Sequence, residues 1–184
     1  MRTALNRRVA HASGGCIPLA YELRWIEWRT LQIVVAVLAV AAIAVETLRL
    51  SVGFRVRIHD FVVRADEENR VASYVYYWSS LAVVVTVFAP AVAVPSYGML
   101  AIGDPISGIV GSGELRRIKR PAALAAMFTV CSLVAVAFLP LRTALAMALG
   151  ATVADGVKPS LGSYVVDDNL SVPVLAALVG SVVG

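Results

Sequence analysis

Five carboxylates lie inside or at the edges of strongly apolar stretches: Glu46, Asp104, Asp155, Asp167 and Asp168. An ionised carboxylate in hydrocarbon is costly, so each needs a partner, a wet cavity or a cation. Asp104 is the sharpest case, because it sits in Gly103-Asp104-Pro105-Ile106-Ser107-Gly108-Ile109-Val110-Gly111 within an otherwise apolar run. Pro105 withholds a backbone donor and the three glycines allow close approach. The pattern predicts a broken helix beside a polar cavity, where an acid meets a hydrated ion. The plainer alternative is a glycine-rich packing face with a caged aspartate. Asp167 and Asp168 are adjacent and repel; a shared divalent cation relieves them, although capping of a helix together with Asn169 and Ser171 also fits.

Basic residues accompany these acids. Arg8 and His11 lie near the N-terminus, Lys119 and Arg120 follow the glycine-rich run, and Lys158 follows Asp155. Carboxylates that hold magnesium, with Lys and Arg around phosphate oxygens, are the parts that phosphoryl transfer needs. Glu46 and Arg49, like Asp155 and Lys158, are three apart, a spacing that also suits a simple ion pair. The usual soluble phosphate loop is missing: Gly103 and Gly108 have its outer spacing, but Ile109 and Val110 stand where Lys and Ser/Thr belong. There is no HExxH or GxSxG motif, His11 and His59 are isolated, and Cys16 and Cys131 form no CxxC.

The elements that position these groups follow from composition. Of 184 residues, 59% are hydrophobic and 15% charged, and the mean hydropathy is +0.81. That much apolar side chain points to a bilayer. Apolar segments run over 31–48, 72–89, 91–111, 121–139, 143–157 and 171–184, with a weaker one over 9–23. The expected fold is an all-α transmembrane bundle of about six to seven spans, some short or broken, forming a single integral membrane domain over residues 1–184. Basic residues precede the 9–23 stretch, but His11, Glu22 and Arg24 interrupt it, so it reads as retained rather than as a cleaved leader.

Alternation from a cytoplasmic N-terminus puts residues 1–8, 49–71, 112–120 and 158–170 inside. Thirteen of the sixteen basic residues then fall on that side, leaving Arg24, Arg29 and Arg142 outside. All five acids gather toward the same face. Phe54, Ile58, Phe61 and Val62 recur at helical spacing among Arg55, Arg57, Asp60 and Arg64, which predicts an amphipathic helix along the cytoplasmic interface. The net charge of +4 is accounted for by these loops, so nucleic acid is not an expected partner.

Two motifs, Gly103-Asp104-Pro105-Ile106-Ser107-Gly108 and Asp167-Asp168-Asn169-Leu170-Ser171-Val172-Pro173, resemble those of the membrane-bound polyprenol kinases, the dolichol and phytol kinase group in its short archaeal form. Weaker similarities are Arg7-Arg8-x-x-His11, Glu46-Thr47-Leu48-Arg49, and Glu68-Asn69 followed by Ser73-Tyr74-x-Tyr76. The resemblance implies transfer of the terminal phosphate of a nucleotide, commonly CTP with ATP as the alternative, to a long isoprenoid alcohol at the cytoplasmic face. It implies Asp104, Asp167 and Asp168 as magnesium ligands and Asp104 or Asp168 as the base. Gly103, Ser107, Gly108, Lys119, Lys158 and Asn169 would meet nucleotide and phosphate, with Arg8, His11, Glu46, Arg49 and Asp155 in support. The implied partners are lipid and nucleotide, with a homo-oligomer left open. A related cytidylyltransferase that forms a CDP-lipid, and a small ion-coupled transporter, are the alternative expectations.

Overall fold

The computed structural model describes residues 2–57, 59–111, 119–157, 160–161 and 164–184, and these are helical almost throughout. Each apolar stretch of the sequence is helical. The weak first segment forms two helices, α1 (Arg2–Ser13) and α2 (Cys16–Glu22), parted at Gly14-Gly15. Gly14 lies against the Tyr77 ring, whose hydroxyl a side chain there would strike. The next helix, α3 (Trp28–Val52), is stopped by Gly53 at φ 71°, and the Phe54 amide turns back to the Leu48 carbonyl. Glycine is the residue that adopts this left-handed cap without strain.

The interfacial helix expected within residues 50–70 is not one helix. The chain forms a single helical turn, α4 (His59–Val62), then a 3₁₀ turn at Ala65–Glu67; Ile58 lies outside the described residues. The reason is polar. The carbonyls of Glu67, Glu68 and Arg70 all accept from the Arg49 guanidinium, and the Val56 amide donates to His59 Nδ1. Backbone groups claimed by side chains are not free for a helical ladder.

After α5 (Ser73–Val87), helix α6 (Pro90–Gly98) passes through a π turn at Met99–Gly103 into α7 (Asp104–Val110). The break predicted at Asp104 is therefore a widened turn within a continuous helix. Pro105 supplies no amide to the ladder, and the π turn just before it absorbs the misfit. Then come α8 (Pro121–Val136) and α9 (Leu141–Gly156), a short antiparallel pairing of 160–161 with 164–165, and α10 (Asp168–Val183).

Helix α9 packs against both α8 and α10, α5 joins α10 to α3, and α7 rests on α8. Small residues allow this closeness: Ala144, Ala148 and Ala151 of α9 are fully buried, as are Ala176 and Ala177 of α10. Leu31, Leu81, Tyr97, Met127 and Met147 fill the centre. The outside is apolar. On α3 alone, Val37 is 61% and Val40 67% exposed, and Leu133, Leu149 and Val182 lie open on α8, α9 and α10. Among the described residues α3 is the one helix both long and apolar enough to cross a membrane; α5, α8 and α10 are apolar but shorter.

Candidate active site

Residues from α3, α5, α7 and α10 surround one cavity, and the last turn of α9 adds an acid beside it. There, Asp104 opens α7, Asp155 lies one residue before the end of α9, and Asp168 is the first residue of α10. One carboxylate oxygen from each lies within 4.8 Å of the others. Three like charges this close are unstable alone. Lys119 enters among them: its Nζ is 2.6 Å from Asp155 Oδ1, 3.5 Å from Asp104 Oδ1 and 3.9 Å from Asp168 Oδ2. Burial alone would lower the Lys119 pKa, but Asp104, Asp155 and Asp168 together raise it above the ordinary lysine value. Lys119 is also held by its backbone, its amide donating to the Gly156 carbonyl at 3.2 Å.

The sequence reading grouped Asp167, not Asp155, with Asp104 and Asp168 as magnesium ligands. In the structure Asp155 completes the close trio. Asp167 caps α10, its Oδ1 accepting from the Asn169 amide at 2.9 Å and from Asn169 Nδ2 at 2.6 Å. Successive residues at a helix start diverge, so one carboxylate of the pair caps while the other faces the cluster. Burial, and then the neighbouring Asp168, push the Asp167 pKa up to about 6.

The glycine-rich motif divides its work differently from the phosphate-contact expectation. Gly103 is buried against α8, where a Cβ would come within 2.9 Å of Met127 Sδ and 3.0 Å of Cys131 Sγ. It serves packing. Ser107 is fully buried and donates to Asp155 Oδ2 at 2.7 Å, so it orients a carboxylate. The Gly108 carbonyl accepts from Arg8 Nη2 at 2.6 Å, which ties α1 to α7. His11 Nε2 lies 3.0 Å from the Leu100 carbonyl oxygen and 3.9 Å from Asp104 Oδ2.

Glu46 and Arg49 form a buried pair, Arg49 Nε donating to Glu46 Oε2 at 2.7 Å and Nη2 to Oε1 at 2.8 Å. Glu46 also accepts from the Ala72 amide and the Tyr74 hydroxyl. The pair fastens the 67–74 turn to α3 and sets Tyr74, and it is the ion pair that the three-residue spacing also allowed. Lys158 lies outside the described residues.

A cavity of about 540 Å³ opens beside the acids. Its charged end carries Arg8, His11, Arg64, Asp104, Lys119 and Asp168, and its apolar wall is the α3 face of Leu38, Ala41, Ala42 and Val45, with Trp78 opposite in sequence on α5. Sequence reasoning missed Arg64, His59 and Tyr77 as lining residues, and missed the α3 wall. Arg64 is charged and raised above its usual pKa: burial opposes this, and Glu67, Asp168, Asp167 and Asp104 outweigh it. His59 is held below its usual value by burial and by Arg49, hence neutral.

Three carboxylates converging from separate helices are an all-oxygen donor set suited to magnesium rather than to zinc. Oxygens on one magnesium ion lie no more than about 4.2 Å apart; the trio spans up to 4.8 Å with the Lys119 ammonium among its members, so an ion would enter as the carboxylates draw together and displace that ammonium. The residues fit such an ion. No protein-family model, curated protein or solved structure matches this chain.

Proposed function

We propose that the chain is a multi-pass membrane kinase that transfers the terminal phosphoryl group of a nucleoside triphosphate to the hydroxyl of an isoprenoid alcohol. CTP is the donor implied by the family resemblance, with ATP as the alternative. The observation that carries this reading is one cavity lined both by Asp104, Asp168 and Lys119, with Asp155 completing the trio just outside the lining, and by an apolar wall along α3. A donor rich in phosphate suits the charged end. An acceptor with one hydroxyl on a hydrocarbon chain suits both ends together.

The membrane reading rests on side-chain placement. Apolar residues on α3, α8, α9 and α10 point outward, while Glu46 and Arg49 of α3, Asp155 of α9 and Asp168 of α10 are buried, a distribution that suits a hydrocarbon surround better than water. Helices of 15 or 16 residues rise about 23 Å, short of a hydrocarbon core of about 30 Å, so the bilayer would thin locally around them. The acidic end faces the cytoplasm on the positive-inside argument.

Asp104, Asp155 and Asp168 would hold magnesium, which when bound neutralises charge on the phosphate oxygens. Asp104 and Asp168 line the cavity and Asp155 does not, so the proton of the attacking alcohol passes to one of the first two. The alcohol oxygen bonds to the terminal phosphorus, the bond to the bridging oxygen breaks, and the nucleoside diphosphate leaves. Lys119 then follows the shifting negative charge. Positioning and charge neutralisation supply most of the acceleration.

The test offers purified protein in lipid a set of isoprenoid alcohols and diacylglycerol, with CTP and ATP in turn. A monophosphorylated isoprenoid and a nucleoside diphosphate are expected. Release of pyrophosphate with a CDP-lipid would replace the kinase by a cytidylyltransferase, and no lipid product with any donor would exclude both.

A further inference from the structure

We infer that the Arg64 guanidinium is a phosphate-binding group of the cavity, acting alongside Lys119 on a substrate or product that carries a phosphoryl group. The inference deepens the kinase reading and rests on it for the identity of the ligand, though not for the binding itself.

The cavity's other basic groups are already engaged. Arg8 is bonded to the Gly108 carbonyl, and Lys119 is shared among three carboxylates. Arg49, behind the wall, is spent on Glu46 and three carbonyls. Arg64 differs. A guanidinium carries five N–H donors; Arg64 Nε is buried without an acceptor, and the side chain, 23% exposed, lines the cavity.

Of the acids around it, Glu67 is the one within 4 Å among the described residues, and it does not satisfy the guanidinium. Glu67 Oε1 lies 3.9 Å from Arg64 Nε, beyond hydrogen-bond reach. The Glu67 oxygens accept instead from the backbone amides of Arg64 at 2.9 Å and Ser73 at 3.1 Å. Glu67 thus fixes the turn that presents Arg64 and leaves the planar fork open toward the cavity.

Leaving buried donors unsatisfied is costly. An arginine fork is matched by two oxygens of one phosphate, whereas a hydroxyl meets it with one. His59 adds to the same side of the cavity: its Nδ1 accepts from the Val56 amide, so its proton is on Nε2, which is also buried without a partner. Both donors come from the 54–67 segment, which the acids do not otherwise need.

Two sources of phosphate are available, the nucleotide and the phosphorylated lipid. Calorimetry on the purified full chain in detergent distinguishes them with three probes: magnesium alone, magnesium pyrophosphate, and an isoprenyl monophosphate in mixed micelles. Arg64→Gln is expected to weaken at least one phosphate probe roughly tenfold or more, and Arg64→Lys to weaken it less. Magnesium alone should bind equally or more tightly, since a positive charge near the trio is gone. Loss for pyrophosphate assigns Arg64 to the nucleotide, and loss for the monophosphate to the lipid product.

The inference is overturned if both variants bind both phosphate probes as wild type does, whether or not their melting temperature falls. It is equally overturned if the wild type binds neither probe. Should Arg64→Gln not fold, Arg64→Lys alone decides, because it keeps the charge and loses only the fork. If wild type binds phosphate through Arg64 but phosphorylates no alcohol, the kinase reading fails and this inference stands.

Discussion

Lys119 Nζ lies 2.6 Å from Asp155 Oδ1, a contact that joins the loop before α8 to the last turn of α9. Asp155 is fully buried and Lys119 largely so. Around this pair the other acids are arranged, so Lys119 both satisfies Asp155 and restrains Asp104 and Asp168 in a confined space.

Replacing Lys119 by Met is therefore expected to destabilise the protein in the absence of divalent cations by about 3–5 kcal/mol, the cost of stranding a buried charge. Magnesium should restore much of the lost melting temperature, and restore more than it adds to wild type. Thermal unfolding with and without magnesium checks both. A Lys119→Met protein as stable as wild type without cation would separate Lys119 from the trio.

The Glu46–Arg49 pair is predicted to be structural. Glu46→Gln leaves Arg49 buried without its counter-charge and with one acceptor oxygen replaced by an amide donor, and should cost about 3–5 kcal/mol, because 3% and 6% exposure leave little water to compensate. Protein that stays folded should keep its KM for the nucleotide. Melting curves together with KM values measure the two parts separately.

Much of this was legible in the chain. Asp104 and Asp168 stand out as acids in apolar surroundings, and the positive-inside pattern already gathers them at one end. The helices follow from the apolar runs. What local spacing does not reveal is which neighbour turns which way. Asp155 and Asp167 exchanged roles because the cap at Asn169 takes Asp167 out of the cluster. Arg64 looked like one of several charges on an amphipathic helix. Its role depends on Arg49, fifteen positions earlier, gathering the carbonyls after it into a turn, and no window on the sequence contains that event.

Gly103 should tolerate little. Gly103→Ala drives a methyl toward Met127 and Cys131 and is expected to cost about 1–3 kcal/mol of overpacking. Cys131→Ala, by removing the sulfur 3.0 Å away, should recover part of it. A double-mutant cycle in melting temperature gives the coupling; strict additivity would contradict the contact.

The α3 wall predicts acceptor selectivity. Ala41 lines the cavity with a side chain that leaves room for a branched hydrocarbon. Ala41→Phe should raise KM for long isoprenoid alcohols by roughly tenfold, the scale of a few methylenes in an apolar pocket, and leave KM for the nucleotide unchanged. Steady-state kinetics across a chain-length series separates the two.

The most direct measurement follows labelled terminal phosphate from CTP into lipid, with purified wild type, Asp104→Asn and Asp168→Asn compared in the presence and absence of magnesium. Label is expected in the isoprenoid fraction with wild type and magnesium only, and each substitution should reduce it by about a hundredfold or more while the protein stays folded. Label transfer that persists in both variants, or that proceeds undiminished in a chelator, would contradict a cation held by carboxylates from α7, α9 and α10.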